Sequence, residues 1–234
     1  MQKTIPVRGV HSDFPEKPAA DAGGIRDRAA EALGRVTWHG QAAVTIRLGK
    51  KVVTIDPYKM LPDAPAADIV LVTHKHDDHY SPADILSISK ADTVKLASFD
   101  APGFRRVRPG ETVRIDAIKI TAVRAYNQRK IRFHPKSEQW VGYIVESEGL
   151  RFYHTGDTER IPEMKGIRAD AMFVPLGQTY TMDSVEEAAD AVRDVGPALA
   201  VPIHFGLYEG TRADAEKFKA LLEGFTRVEI LVPR

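Results

Sequence analysis

The segment Thr73-His74-Lys75-His76-Asp77-Asp78-His79 places four candidate metal ligands, His74, His76, Asp78 and His79, within six positions. The chain has no cysteine, so a metal ion would have to be held by imidazole and carboxylate, groups that bind Zn²⁺ and similar divalent ions. In an extended stretch His74 and His76 project to the same side and can share one ion. A bend after them sets Asp78 and His79 beside a second. The bland alternative is a solvated polar loop. It is weakened by the preceding apolar run Ile69-Val70-Leu71-Val72, which reads as a strand buried on both faces; sites commonly form at the ends of such strands.

After the cluster, Ser81-Pro82-Ala83-Asp84 supplies an N-cap serine, a proline in the first turn and an acidic residue, predicting a helix to about Lys90. The cluster therefore reads as a strand-to-helix loop. Short β-type runs at 35–38, 43–48 and 51–55, with Gly49-Lys50 as a tight turn, predict a meander. Further strands are expected at 93–97, 112–116, 118–124, 140–147, 150–154, 171–175, 199–203 and 228–232, with helices at about 184–195 and 211–223. Many strands and few helices imply stacked sheets covered by helices. Residues 1–34, rich in Pro, Ala, Gly and charge with one helix-compatible stretch at 25–33, read as an arm packed on a single domain at 35–234. No repeat period of a solenoid or propeller is present.

Three other places carry candidate chemistry: Thr54-Ile55-Asp56-Pro57, Tyr153-His154-Thr155-Gly156-Asp157-Thr158 and Pro202-Ile203-His204-Phe205-Gly206. Taken alone, Asp157 reads equally as an Asx turn and His204 as a satisfied core histidine. In order and spacing, however, these segments together with His74-x-His76-x-Asp78-His79 resemble the motifs of the metallo-β-lactamase superfamily. That resemblance implies an α/β (α+β) fold, a four-layer αββα sandwich with a mono- or dinuclear metal site. It assigns His74 and His76 to a first metal and Asp78, His79 and His204 to a second, with Asp157 bridging and Asp56 orienting a ligand. The family's middle histidine falls on Val123-Arg124-Ala125-Tyr126-Asn127, which contains none. His134, in Phe133-His134-Pro135, is the histidine of the intervening loop expected to fill the gap. Gln41 stands where relatives commonly have a histidine, and neither it nor His39 is given a role. Trp140-Val141-Gly142-Tyr143 and Pro175-Leu176-Gly177-x-x-Tyr180-Thr181-Met182 resemble a branch of small metal-dependent hydrolases near the sugar-phosphate lactonases and N-acyl phospholipid phosphodiesterases.

Composition narrows the partners. The 234 residues are 43% hydrophobic and 28% charged, as in an ordinary packed protein. The 33 basic and 32 acidic side chains nearly cancel, which gives no electrostatic footprint for nucleic acid. Locally, Arg124, Arg129, Lys130, Arg132 and Lys136 either steer an anionic substrate to the metals or form the solvated face of a hairpin. The start has no signal-like apolar stretch and no later run is long enough to span a membrane, so a cytoplasmic protein is expected. Oligomeric state is not legible.

The expected function is metal-dependent hydrolysis of an ester, lactone or phosphodiester in a small molecule. Two divalent ions, roughly 3.5–4 Å apart, would hold a hydroxide whose parent water has a pKa of about 7. Asp78 would orient the water or pass a proton, and Tyr180 and Asn127 are weaker candidates for substrate contact. Zn²⁺ is the first expectation, with Mn²⁺, Fe or Ni²⁺ compatible with the same ligands. The competing expectation, prompted by the missing histidine, is a metal-binding or scaffold protein of the same fold without turnover.

Overall fold

The computed structural model describes residues 22–234; residues 1–21, most of the expected arm, lie outside the described residues. The chain opens with helix α1 (Ala22–Gly34) and then forms two mixed sheets on one plan. In the first, β1 (Val36–Gly40), β2 (Ala43–Leu48) and β3 (Lys51–Ile55) form the predicted antiparallel meander. β4 (Ala67–Val72), β5 (Ser89–Ala97) and β6 (Arg105–Arg106) then add in parallel, with α2 (Pro82–Ile88) crossing between β4 and β5. The second repeats the scheme: β7 (Thr112–Ile115), β8 (Ile118–Arg124), β9 (Val141–Ser147) and β10 (Leu150–His154) are antiparallel neighbours. β11 (Ala171–Pro175), β12 (Leu199–Ile203) and β13 (Arg227–Val228) continue in parallel, with α3 (Val185–Val195) and α4 (Arg212–Leu221) in the crossovers.

The layering follows from alternation along the strands. On β4, Ile69 and Leu71 join the large core that also contains Phe152, Tyr153 and Val145 of the second sheet. Val70 and Val72, pointing the other way, pack with Ile85 and Ile88 of α2. Burial on both faces is why this strand reads as one apolar run. The helices covering the second sheet contribute small residues to the same core: Ala29 and Ala32 from α1, Ala188, Ala189 and Ala191 from α3. The result is the four-layer αββα architecture.

Helix boundaries follow their caps. The Ser81 side chain accepts from the backbone N–H of Asp84 and starts α2, and Ser184 does the same for α3 through Glu187. Thr211 and Asp214 form a reciprocal capping box on α4. α2 ends at Ile88 rather than near Lys90, because Ser89 is already extended and pairs with Ala67 across an irregular register. β13 is two residues long instead of spanning 228–232: Ile230 and Leu231 still pack on the core, but the chain leaves the ladder and Arg234 N–H donates to Trp38 at 3.0 Å. The short β6 and the 3-10 turns Lys136–Glu138 and Pro162–Gly166 carry no periodicity that sequence reading could detect. No helix among the described residues is long and apolar enough to cross a membrane.

Candidate metal centre

The loops that leave β3, β4, β10 and β12 converge at one end of the two sheets. Asp56, fully buried at the end of β3, accepts the backbone N–H and the hydroxyl of Thr73, both at 2.7 Å. Its Oδ2 also lies 2.8 Å from His79 Nδ1. One carboxylate thus ties β3 to the start and the end of the histidine loop and leaves His79 Nε2 directed into the site. The backbone adopts the left-handed region at Asp56 (φ +48°) and at His204 (φ +59°), a conformation costing roughly 1 kcal/mol or more for such residues. His204 N–H donates to Gln41 at 2.7 Å, fixing that turn against the β1–β2 loop.

Three overlapping triads result: His74, His76 and His134; His74, His79 and Asp157; and Asp78, His79 and His204, each with ligand atoms within 4.8 Å of one another. Asp157 stands between them, its Oδ1 3.3 Å from His79 Nε2 and its Oδ2 3.3 Å from His204 Nε2 and 3.8 Å from His74 Nε2. Asp78 Oδ2 lies 3.5 Å from His204 Nε2 and 3.7 Å from His79 Nε2. The His134 ring is 4.6 Å from that of His74 and 4.4 Å from the indole of Trp140, centroid to centroid.

These residues suit a cation. His79 Nε2, both ring nitrogens of His134 and Asp157 Oδ1 are buried without a hydrogen-bond partner, an arrangement that costs free energy unless something binds there. Burial keeps His74 and His76 neutral and pushes His134 down to about 3, so all three imidazoles offer lone pairs. On the other side burial would also depress His79, but Asp157 and Asp56 outweigh it and raise it to about 10. His204 is raised well above its ordinary value against its burial, by Asp157 and Asp78. Burial opposes ionisation of Asp78 too, yet its hydrogen bond with His204 and the charge on His79 hold it at about 2. The carboxylate side thus collects positive charge, as protons where no metal is bound.

The loop bearing His134 is built by buried polar groups. The two carboxylate oxygens of Glu159, a fully buried side chain, accept the backbone N–H groups of Gln128, Arg129 and Lys130 at 2.8–2.9 Å. Asn127 accepts from Glu159 N–H through Oδ1, donates through Nδ2 to the carbonyl of Tyr180, and donates its backbone N–H to the carbonyl of His134. Asn127 therefore shapes this loop and does not line the cavity described below. Three of the basic side chains are committed elsewhere. Arg129 pairs with Glu187 and Asp183, Lys130 donates to the carbonyls of Gln178, Thr181 and Met182, and Lys136 meets Tyr126 and Glu163. Arg132 lies over the ring of Phe133.

Two residues with no role in the sequence reading belong to the site. Gln41 Nε2 donates to Asp78 Oδ2 at 2.8 Å and lies 2.9 Å from His204 Nε2. Glu209 places Oε1 3.1 Å from His204 Nδ1, while Oε2 accepts the backbone N–H groups of Thr179 and Tyr180. Its carboxylate occupies the space above Gly177, where an added Cβ would fall 1.7 Å from Oε1. The only sequence signs were the departure from histidine at Gln41 and an acidic residue shortly after His204. His39 and His154 are structural: His39 bonds Thr45 and the carbonyl of Arg234, and His154 joins the Ala42 carbonyl to Gly156 N–H.

Above the triads is a cavity of about 460 Å³ lined by Tyr58, His76, Asp77, Asp78, Phe133, His134, Asp157, Tyr180, His204 and Tyr208. A larger, more open depression of about 630 Å³ beside α3, around Arg129, Arg160 and Asp190, holds none of the candidate ligands. Reactive groups, enclosure and access coincide only in the former.

Residues 35–204 match the family model of the beta-lactamase superfamily domain. The chain is 31% identical over 218 residues to a UPF0173 metal-dependent hydrolase of Thermoplasma acidophilum, covering 85% of this chain and 95% of that one. It is 34% identical to a UPF0173 protein of Pyrococcus furiosus, over 85% and 94% of the two chains. Among solved structures, a candidate metal-dependent hydrolase from Parabacteroides distasonis superposes with a TM-score of 0.75 at 32% identity, covering 83% of this chain and 91% of that one. Igni18, a metallo hydrolase from Ignicoccus hospitalis, shares the fold with a TM-score of 0.71 at 24% identity, over 85% and 94% of the chains.

Proposed function

The chain belongs to the beta-lactamase superfamily and is a metal-dependent hydrolase, and from that premise we propose that it cleaves an ester, lactone or phosphodiester bond in a small molecule at a two-ion centre. His74, His76 and His134 would hold one ion, Asp78, His79 and His204 the other, and Asp157 would reach both. Zn²⁺ suits this donor set best, with Mn²⁺, Fe or Ni²⁺ compatible with it. When bound, the ions supply an acidified water as nucleophile and polarise the oxygen of the scissile bond.

The protein's own groups do the rest. Asp78, held ionised and facing the cavity, would accept a hydrogen bond from the attacking water and orient it, or pass its proton on towards the leaving group. Asp56 fixes the orientation of His79 by a hydrogen bond to the ring nitrogen turned away from the cavity, and Glu209 sets a carboxylate 3.1 Å from the corresponding nitrogen of His204. Trp140 and the Glu159-braced loop hold His134 in place and keep bulk water from behind the histidines. Residues 35–234 serve as the catalytic domain, with α1 packed on it.

The observation that carries this reading is the set of buried, unpartnered nitrogens and oxygens pointing to a common space. No feature of the described residues favours a scaffold without turnover. Activity of the metal-loaded protein on generic aryl esters, lactones and phosphodiesters tests the proposal. Turnover is expected to be lost in the His76→Ala, Asp157→Ala double variant, and undiminished turnover in that variant would refute it.

A further inference from the structure

The wall of the cavity beyond the candidate ligands is made of aromatic rings. Four loops contribute them in two pairs. Tyr58 and Tyr208 are joined hydroxyl to hydroxyl with their rings 6.5 Å apart. Phe133 and Tyr180 meet edge to face at 4.9 Å. All four line the cavity, and Tyr180 and Tyr208 remain 41% and 55% exposed at its mouth. Large aromatic side chains left in water at the rim of an enclosed polar floor are uncommon unless they bind something.

The charges around this wall are informative. No lysine or arginine lines the cavity. Cations lie against the outer sides of its aromatic side chains: Lys59 within 6 Å of the Tyr58 and Tyr208 ring centroids, and Arg132 over Phe133. The lining does include Asp77, an exposed carboxylate. A phosphate or carboxylate at the far end of a substrate would meet electron-rich ring faces and Asp77, with no cation in the lining to compensate for its lost hydration. A flat uncharged group would instead stack on the rings and displace poorly held water.

Building on the hydrolase reading above, we infer that the site selects substrates whose part remote from the scissile bond is an uncharged aromatic or similarly flat apolar group. Tyr180 and Tyr208 are the specificity-determining residues. The volume of about 460 Å³ accommodates a molecule of one or two rings together with the reacting group.

The test is equilibrium binding of three non-hydrolysed hydroxamates to the full-length metal-loaded protein: acetohydroxamate, phenylacetohydroxamate and its 4-carboxy derivative. They share the head and differ only in the tail. The phenyl compound is expected to bind at least about tenfold tighter than the acetyl compound, and the 4-carboxy group to remove most of that gain. Tyr180→Ala and Tyr208→Ala, both at exposed positions where truncation leaves the core intact, are each expected to lower the phenyl-to-acetyl ratio about threefold or more. Equal affinities, tighter binding of the carboxylate, a ratio unmoved in both variants, or no binding of any compound would overturn the inference. Hydrolysis is measured separately on esters, lactones and phosphodiesters that carry the same phenyl tail. Absent turnover with the tail preference intact would sink the hydrolase reading alone, and turnover without the preference would sink only the inference.

Discussion

His134 and His74 face each other edge to face with ring centroids 4.6 Å apart, although one comes from the loop after β4 and the other from the loop between β8 and β9. Both His134 nitrogens are buried and unpartnered, and one of them lies beside the His74 and His76 donors. No histidine occurs at 123–127, and the loop between β8 and β9 folds back to bring His134 within 4.8 Å of the His74 and His76 donors.

That loop depends on Glu159. A carboxylate accepting three backbone N–H groups in a fully buried position contributes through charge-assisted bonds that an amide cannot equal. Glu159→Gln is expected to cost about 2 kcal/mol of stability and to lower metal affinity on the three-histidine side. Denaturant melts together with metal content after dialysis would show both effects. An unchanged metal content would show that His134 is positioned independently of Glu159.

Glu209 and Gly177 are expected to act as a pair. Removing the carboxylate in Glu209→Ala frees the His204 ring and the Thr179–Tyr180 backbone, and loss of such a partner typically costs about 10–100-fold in metal affinity or activity. Gly177→Ala should reproduce much of that loss with little unfolding, because its methyl meets the end of the flexible Glu209 side chain. Metal affinity and thermal stability of the two variants, measured side by side, check this. A Gly177→Ala protein with normal affinity would disprove the coupling.

The two sides of the centre should differ in pH response. Against the effect of burial, their carboxylate neighbours raise His79 to about 10 and His204 well above its ordinary value, favouring protonation without metal, whereas burial lowers His74, His76 and His134 and favours their neutral forms. An ion entering the Asp78–His79–His204 side must displace protons; one entering the three-histidine side need not. Zn²⁺ titration in weak buffer near pH ~7.5 is expected to release at least about one proton per chain. Acidification should empty the carboxylate side first. The sign for stability is opposite. With its pKa raised, protonated His79 stabilises the metal-free fold fully below its ordinary value of 6.5, and this contribution is lost as pH rises towards about 10. Melting of metal-free protein across that range should show the decline.

Close packing behind the site gives another prediction. A Cβ on Gly142 would lie 2.6 Å from the carbonyl oxygens of both His154 and Thr155, which are backbone and cannot yield cheaply. Gly142→Ala is expected to cost about 3 kcal/mol and to lower Tm by roughly 6–10 °C. A calorimetric scan is sufficient to check it.

Legibility in the sequence tracked how local each feature is. The loop 73–79 could be read because its four donors fall within six residues behind one apolar strand, and β4 itself because both its faces are buried. Asp157 and His204 were each ambiguous alone and became candidates only through the order of their motifs. The placement of His134 was an expectation that depends on Glu159 and Asn127, partners distant in sequence. Gln41 and Glu209 were not legible, since what matters is where their side-chain ends point. Strand limits failed where register decides them, as at Ser89, or where the chain departs to pair elsewhere, as after Val228.

Metal stoichiometry of the wild type and of His134→Ala, by elemental analysis after identical loading and dialysis, bears most directly on the centre. The expected result is about two ions per wild-type chain and about one per His134→Ala chain, the remaining ion being held on the Asp78–His79–His204 side. A wild type that retains no metal, or a His134→Ala variant that retains the full wild-type complement, would contradict it.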